Sequence, residues 1–245
     1  MLTDRFNRPH NYLRISLTDN CNFRCTYCMP DEKMQFKPAA HLMQQPEIDH
    51  IAGVFVQLGV NKIRFTGGEP LVRKDAANII LQTARYPVEL TLTTNGTRVH
   101  EFIPVFKDAG IQSVNVSLDT LDPHKFTLIT RRDEFDRVWQ NIELLLHHGF
   151  KVKVNMVVMN GVNHHELPRF VALTQHLPLH IRFIEFMPFT GNQWQGNKVF
   201  TFAQMLETIS EKFLFVPLNN HPSDTAKKFK VPNYEGTFAV ISTIT

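Results

Sequence analysis

Strand-like and helical patterns alternate along most of this 245-residue sequence, and no other feature limits its possible folds as strongly. Short runs of apolar and β-branched residues predict strands near residues 12–18, 62–66, 88–94, 113–118, 151–159 and 180–186. Apolar residues at helical spacing predict helices near residues 46–58, 76–85, 101–109, 134–148, 164–176 and 202–212. Because strands joined through helices pair in parallel with right-handed crossovers, the alternation predicts a parallel α/β sheet, either open or curled into a barrel.

The alternation stops at about residue 212. From residue 213 the sequence is rich in turn-forming residues and has one late strand candidate, residues 237–244. We therefore expect an incomplete parallel (β/α)6 TIM-like barrel over residues 1–212, with a short C-terminal extension over residues 213–245 packed onto it. With 43 % apolar residues, a chain of this length can bury one sizeable core.

Polar side chains recur on one face of the predicted strands, opposite an apolar set such as Leu13, Ile15 and Leu17. They are Arg14, Ser16, Thr18, Arg64, Thr66, Thr91, Thr93, Asn95, Asn115, Ser117, Asp119, Lys151, Lys153 and Asn155. In a curled sheet covered by helices these faces converge in the interior, where an unsatisfied polar group costs about 1–3 kcal/mol. The pattern predicts a bound polar ligand or trapped water. The alternative is an open antiparallel sheet with solvated polar faces, which the long helical crossovers disfavour.

Two charged residues of the sixth predicted strand fall on opposite faces. They are Arg182 and Glu185, and the sequence alone does not decide which of them points inward. Arg182 is nevertheless a further candidate for the polar side of the sheet.

Charge and hydropathy exclude several classes of protein. The 26 Lys and Arg nearly balance 23 Asp and Glu, without a long run of one sign, so we expect no nucleic-acid partner. The N-terminal segment lacks an apolar leader, and the longest apolar stretches are well short of the ~18 residues that cross a membrane. We expect a cytoplasmic protein with no membrane segment.

Three cysteines are the whole complement of the sequence, and all fall in CNFRCTYC, directly after the first predicted strand. No cysteine elsewhere can pair with Cys21, Cys25 or Cys28, which excludes a disulfide framework. Thiolates at spacings of four and three can converge on one metal centre and leave one iron of a cubane cluster open to another ligand. Zinc is the alternative, although a closed zinc site usually needs four protein ligands and the nearest histidines are His10 and His41.

The cysteine loop resembles the radical S-adenosylmethionine (SAM) superfamily. Further segments follow in order: IRFTGGEPL at 63–71, LTTNG at 92–96, NVSLD at 115–119, VKVN at 152–155 and RFIEFM at 182–187. Together they resemble the GTP 3',8-cyclase family (molybdenum cofactor biosynthesis protein A), from about Leu13 to the end of the sequence. The resemblance implies that Cys21, Cys25 and Cys28 hold one [4Fe-4S] cluster whose fourth iron binds SAM.

The resemblance also assigns binding residues. SAM contacts fall on Tyr27, Gly68, Ser117 and Met187. GTP contacts fall on Arg14, Arg64, Thr93 and Lys153, with Arg182 nearby. The bottom-up pattern agrees, because most of these residues lie on the polar faces or at the carboxyl ends of strands, and because cations suit a triphosphate.

The resemblance implies an enzyme, a lyase that converts GTP to (8S)-3',8-cyclo-7,8-dihydroguanosine 5'-triphosphate in molybdenum cofactor biosynthesis. Its expected partners are GTP, a flavodoxin- or ferredoxin-like reductant, the next enzyme of the molybdopterin pathway and a second copy in a homodimer. The family's second [4Fe-4S] cluster uses cysteines beyond the segment resembling GTFAVIST, and this sequence does not encode them. We therefore expect residues 213–245 to be a truncated extension and the cyclisation to be impaired. The alternatives are a single-cluster radical SAM enzyme with another substrate and a non-catalytic SAM- or nucleotide-binding remnant.

Overall fold

The computed structural model describes residues 3–189, 192, 195–219 and 225–242, and the chain divides into two compact units. The first unit comprises Met1–Asn22, Met34–Asn115 and Arg137–Phe150. The second comprises Phe23–Lys33, Val116–Asp136 and Lys151–Thr245. The first unit combines helices with parallel strands, and the second combines helices with parallel and antiparallel strands, which confirms the predicted α/β class.

The strands and helices of the described ranges follow the predicted alternation. The strands are β1 (Tyr12–Ser16), β2 (Lys62–Thr66), β3 (Glu89–Thr94), β4 (Ser113–Ser117), β5 (Lys151–Val158), β6 (His180–Glu185), β7 (Val216–Pro217), β8 (Ala226–Lys230) and β9 (Thr237–Ile241). The helices are α1 (Gln45–Gln57), α2 (Ala76–Thr83), α3 (Val99–Asp108), α4 (Pro123–Thr130), α5 (Phe135–His147), α6 (Leu167–Leu173) and α7 (Phe202–Ser210).

In the first unit, β1, β2 and β3 are parallel neighbours in chain order. Their register aligns Leu13 with Ile63 and Ile63 with Leu90, so alternate positions present apolar side chains to one face. Helices α2 and α3 each bury an apolar side, including Ile79 and Phe106. The opposite face of these strands carries the polar positions that the sequence singles out.

In the second unit, β6 lies between β5 and β9 and is parallel to both, while β8 and β7 follow from β9 in antiparallel order. Phe183 of β6 and Phe238 of β9 are fully buried, with their ring centroids 6.3 Å apart. Phe170 of α6 packs edge-on against Phe183. Because side chains alternate along a strand, Arg182 lies on the face opposite this aromatic core.

The C-terminal extension differs from the expectation. The late strand is β9, Thr237–Ile241, and residues 243 and 244 of the predicted strand lie outside the described residues. The extension was expected to pack onto the barrel, and its strand β9 joins the sheet by pairing with β6 in parallel. This pairing supplies the backbone hydrogen bonds that an edge strand would lack.

Two helices differ from the sequence patterns. Residues 164–166 form a 3₁₀ turn, so α6 begins only at Leu167, directly before Pro168, which suits a first helical turn. Helix α4 was not expected, although Asp122 caps it by accepting a hydrogen bond from the Lys125 N–H at 3.1 Å. In this short helix the apolar residues do not keep to one side, since Leu128 is exposed, so a clear helical period is missing.

Across the described ranges, each helix is too short or too polar to cross a membrane.

Candidate functional site

The GGEP segment of the first unit follows β2 and lies against the chain just before Cys21. Gly68 N–H donates to the Thr18 carbonyl at 2.7 Å, and Glu69 N–H donates to the Asn20 carbonyl at 2.8 Å. Gly67 has a φ of +144°, and a Cβ atom there would lie 2.3 Å from the Thr18 oxygen. A Cβ atom at Gly68 would lie 2.4 Å from the Asn20 oxygen. Both positions therefore require glycine, because the two backbones touch.

Glu69 joins the ends of two strands. Its buried carboxylate accepts hydrogen bonds from the Thr94 hydroxyl at 2.7 Å, the Asn95 N–H at 2.6 Å and the Leu71 N–H at 3.0 Å. Burial raises the pKa of Glu69 to about 7 despite these three donors. The hydrogen bonds from Glu69 to the end of β3 were not predicted from the sequence.

The side chain of Asn95 lies beside the first cysteine. Its Nδ2 donates to the Asn22 Oδ1 at 2.7 Å and is 3.8 Å from the Cys21 sulfur. The Asn95 Oδ1 in turn accepts from the Thr97 N–H and hydroxyl. These bonds orient an amide N–H towards the Cys21 sulfur, an arrangement suited to a thiolate.

In the second unit, a tight turn carries the other two cysteines. Cys28 N–H donates to the Cys25 carbonyl at 3.0 Å, and Thr26 N–H donates to the Ile129 carbonyl at 2.8 Å. The second bond holds the loop against the end of α4. None of the three cysteines forms a disulfide.

Tyr27, between Cys25 and Cys28, is anchored to a buried carboxylate. Its hydroxyl donates to the Asp119 Oδ2 at 2.8 Å, and the Asp119 Oδ1 accepts from the Val157 N–H at 2.9 Å. Burial raises the pKa of Asp119 to about 6. Burial also raises the pKa of Tyr27 well above its usual value, and the nearby Asp119 raises it further. The sequence placed Asp119 on a polar face but did not predict this bond.

A cavity of about 250 Å³ adjoins Tyr27. It is lined by Tyr27 and Phe186, whose rings meet edge to face at 6.2 Å, and by Met159. Arg131 and Lys198 also line it. An aromatic and thioether surface with two cations suits a flat, partly polar ligand.

The basic residues predicted in the first unit differ in burial. Arg64 is only 5 % exposed, and its guanidinium donates to the Tyr12 hydroxyl and, at 3.2 Å, to the Thr93 hydroxyl. Arg14 aligns with Arg64 across β1 and β2 and is exposed. The structure therefore brings Arg64 and Thr93 into contact, as their shared face predicts.

In the second unit, Lys153 and Arg182 are half-buried on the polar side of β5 and β6. Arg182 Nε donates to the Asn155 Oδ1 at 2.8 Å. Glu185, on the opposite face, is fully buried and accepts from the Phe202 N–H at the start of α7. The structure thus decides the choice that the sequence left open, and Arg182 is the residue on the polar face.

Two of the predicted SAM contacts lie at strand ends. Ser117 is half-buried as the last residue of β4, and Met187 is 39 % exposed two residues after β6. Among the described residues, the buried Asn115 Oδ1 lacks a hydrogen-bond partner. An unsatisfied acceptor on the Ser117 face of β4 agrees with the expected polar ligand.

Within the part of the chain that the structure describes, no three Cys, His, Asp or Glu side chains are already arranged as a metal site. The cysteines alone supply the donor chemistry of an iron–sulfur cluster.

Two family models match this sequence. The Radical SAM superfamily model matches residues 15–174, and the model described as Molybdenum Cofactor Synthesis C matches residues 179–245. The first match includes the cysteine loop and the GGEP segment described above.

Curated relatives match the whole chain. The mitochondrial GTP 3',8-cyclase of Arabidopsis thaliana is 45 % identical over 100 % of this chain and 64 % of its own length. Molybdenum cofactor biosynthesis protein 1 of Mus musculus is 47 % identical over 99 % of this chain and 39 % of its own length. GTP 3',8-cyclase of Petrotoga mobilis is 40 % identical, covering 99 % of this chain and 76 % of its own. The chain therefore spans less than two thirds of the first two relatives.

Solved structures support the fold. SuiB of Streptococcus suis, bound to S-adenosylmethionine, superposes with a TM-score of 0.65 at 17 % identity, over 82 % of this chain and 46 % of that one. At this identity the likeness concerns the fold alone, a mixed α/β architecture with a mostly parallel sheet.

Proposed function

Since the chain belongs to the radical SAM superfamily and, within it, to the GTP 3',8-cyclase family, we propose that it converts GTP to (8S)-3',8-cyclo-7,8-dihydroguanosine 5'-triphosphate. The observation that carries the proposal is the cysteine loop, which follows β1 and is anchored through Tyr27 to the buried Asp119. A loop with three thiols and a fixed aromatic side chain suits a cluster that must be held beside a second cofactor.

Cys21, Cys25 and Cys28 fit a [4Fe-4S] cluster by donor type and spacing. Thiolates are the ligands such clusters take, and none of these thiols is in a disulfide. When bound, the cluster and SAM supply the one-electron chemistry that removes a hydrogen atom from the ribose. With three cysteines in 245 residues, this chain offers ligands for one such cluster.

Four residues are proposed to hold SAM. Tyr27 and Met187 offer an aromatic and a thioether surface, while Gly68 offers backbone free of a Cβ atom and Ser117 a hydroxyl. The cavity beside Tyr27 supports the assignment of that residue, since Phe186 and Met159 complete an apolar wall there. The anchored ring of Tyr27 orients the ligand and excludes water from its apolar side.

Five residues are proposed to bind GTP. They are Arg14, Arg64, Thr93, Lys153 and Arg182. The cations neutralise the triphosphate through charge-assisted hydrogen bonds, and hydroxyl and amide partners fix the direction of the guanidinium groups. Arg64, held by Tyr12 and Thr93, and Arg182, held by Asn155, are pre-organised for this purpose.

The proposal includes partners that the reaction requires. One-electron chemistry needs a reductant, for which a flavodoxin- or ferredoxin-like protein is suited, and the cyclised nucleotide passes to the next enzyme of the molybdopterin pathway. A reducing compartment such as the cytoplasm suits cysteines that stay out of disulfides. A homodimer is also proposed, and light scattering after gel filtration tests it.

A single-cluster radical SAM reaction on another substrate is the second candidate, because the chain contains three cysteines only. A SAM- or nucleotide-binding protein without catalysis is the third. One assay distinguishes these candidate functions: reconstituted protein is incubated with SAM, dithionite and GTP. Cleavage of SAM with GTP left unchanged favours the second candidate, and binding of both ligands without SAM cleavage favours the third.

The experiment that tests the proposal is anaerobic reconstitution. About four iron and four sulfide per chain are expected, with 5'-deoxyadenosine and the cyclised nucleotide as products. Cys25→Ala removes one cluster ligand and should abolish SAM cleavage. Stoichiometric zinc without a cluster, or full SAM cleavage by Cys25→Ala, contradicts the assignment.

A further inference from the structure

Basic side chains share one face of neighbouring strands in the second unit. The register pairs Lys153 of β5 with His180 of β6, and it pairs Arg182 of β6 with Ala239 of β9. Ala239 also pairs with Lys228 of β8. Arg182 and Lys228 therefore lie in one row across three strands, and only the methyl side chain of Ala239 lies between them.

The aromatic core decides the direction of Lys228. Its neighbour Phe229 stacks on Phe238 with ring centroids 5.3 Å apart, on the same side of the sheet as Phe183. Because successive side chains alternate, Lys228 must lie on the opposite side, with Arg182. Lys228 is half-buried there, whereas the preceding Lys227 is exposed.

His180 lies on the same face, and all three cations lower its pKa. Burial, followed by Arg182, Lys153 and Lys228 in decreasing order, lowers the pKa of His180 to about 4. The imidazole also shares a hydrogen bond of 2.6 Å with the Thr237 hydroxyl. Half-buried like charges on one face of a sheet repel one another, and a bound polyanion offsets the repulsion.

We propose that Lys228 is a phosphate-binding residue which, with Lys153 and Arg182, holds the triphosphate of the substrate. The identification of the ligand as GTP rests on the proposed function. The anion site itself is inferred from the geometry of β5, β6, β8 and β9. Nothing in the sequence pattern indicates this role, since Lys228 lies in the extension and its partners are 46 and 75 positions earlier in the chain (228 − 182 and 228 − 153).

The test compares two adjacent lysines. Lys228→Met keeps the aliphatic stem and removes the charge, while Lys227→Met makes the same change at an exposed position on the other face of the same strand. The probes are inorganic triphosphate, GTP and guanosine, titrated calorimetrically into the reconstituted full chain at fixed ionic strength. We expect Lys228→Met to weaken triphosphate and GTP about tenfold and to leave guanosine unchanged, as for loss of one charge-assisted contact. Lys227→Met should bind like the parent, and Lys228→Arg should retain most of the affinity.

The outcomes separate this inference from the proposed function. Unchanged triphosphate affinity in Lys228→Met, with loss in Lys153→Met, overturns the role of Lys228 alone. Equal losses in Lys228→Met and Lys227→Met show a general effect of net charge and also overturn it. Unchanged affinity in both Lys153→Met and Lys228→Met removes the anion site and the GTP assignment together. A triphosphate site that depends on Lys228 but shows no reaction with GTP supports the inference and contradicts the proposed function. Thermal melts of each variant verify folding, and should Lys228→Met fail to fold, the same comparison is made with Lys228→Gln.

Discussion

At the scale of single residues, a hydrogen bond in the second unit joins two side chains that are distant in the sequence. Tyr27 and Asp119 are 92 positions apart in the sequence, yet their hydrogen bond fixes the cysteine loop. Cysteines and glycines at the candidate site were predictable because their spacing is local. The Tyr27–Asp119 bond and the bonds of Glu69 were not predictable, because a single sequence does not show which distant polar groups meet.

Replacing Tyr27 with Phe removes the donor to Asp119 and leaves a buried acceptor without it. We expect a loss of about 1–3 kcal/mol in the free energy of unfolding and a three- to tenfold weaker affinity for SAM, at roughly unchanged iron content. Calorimetric SAM binding and iron analysis check this result. Tyr86→Phe, which removes a hydroxyl bonded to the Asp49 carbonyl, is the matched control and should leave SAM affinity as it is. Equal SAM affinity in both variants would contradict a positioning role.

The pKa of His180 depends on the cations around it. The groups that face it are Arg182 on its own strand, Lys153 on β5, Lys228 on β8 and the Thr237 hydroxyl on β9. Removing one cation favours the protonated imidazole, so Lys228→Met should raise the pKa of His180 from about 4. An NMR titration of the imidazole carbon-bound protons measures this change. Lys227→Met should leave the titration unaltered, and a shift in that variant would mean that the effect is not local.

At the scale of elements, the strands were predictable from short β-branched runs, and the helices from their apolar period. Helix α4 was missed because eight residues with Leu128 61 % exposed show little periodicity. The partner of β9 was missed for a different reason: pairing between strands far apart in sequence leaves no local signal. The GGEP segment was predictable only in part. Its motif predicts the glycines, whereas the hydrogen bonds from Glu69 to the end of β3 depend on the fold.

Glu69 makes the stability of the first unit depend on pH. Its pKa is raised from 4.5 to about 7, so the folded chain binds a proton more tightly than the unfolded chain does. The corresponding stability is fully present below about pH 4.5 and is lost as the pH rises through 7, by about 3 kcal/mol. Urea unfolding at pH 5 and pH 8 should show this decrease, and Glu69→Gln should reduce it. Glu89→Gln, at an exposed position of β3, is the control and should retain the full decrease.

At the scale of the whole molecule, the assignment to a family depends on the ordered set of segments rather than on any one of them. The chain spans 64 % and 39 % of two curated relatives. The residues proposed for GTP are cations, a hydroxyl and their polar partners, which recognise phosphate rather than base.

We therefore expect GTP and ATP to bind this chain with similar affinity, and Lys153→Ala to weaken both about tenfold. Competition calorimetry on the reconstituted protein measures both affinities. Lys107→Ala, an exposed position of α3, serves as the control for net charge. A large preference for GTP would show that the chain has a guanine site outside the residues named here.

The pairing of β6 with β9 also determines when the sheet can be completed during synthesis. Thr237 is made 52 residues after Glu185 (237 − 185), so one backbone edge of β6 stays open until the ribosome has added this whole interval. The exposed edge carries the apolar residues Ile181 and Phe183, and open edges of this kind recruit other chains. Nascent chains stalled between these two strands should therefore be preferred substrates of ribosome-associated chaperones, whereas chains released after β9 should not.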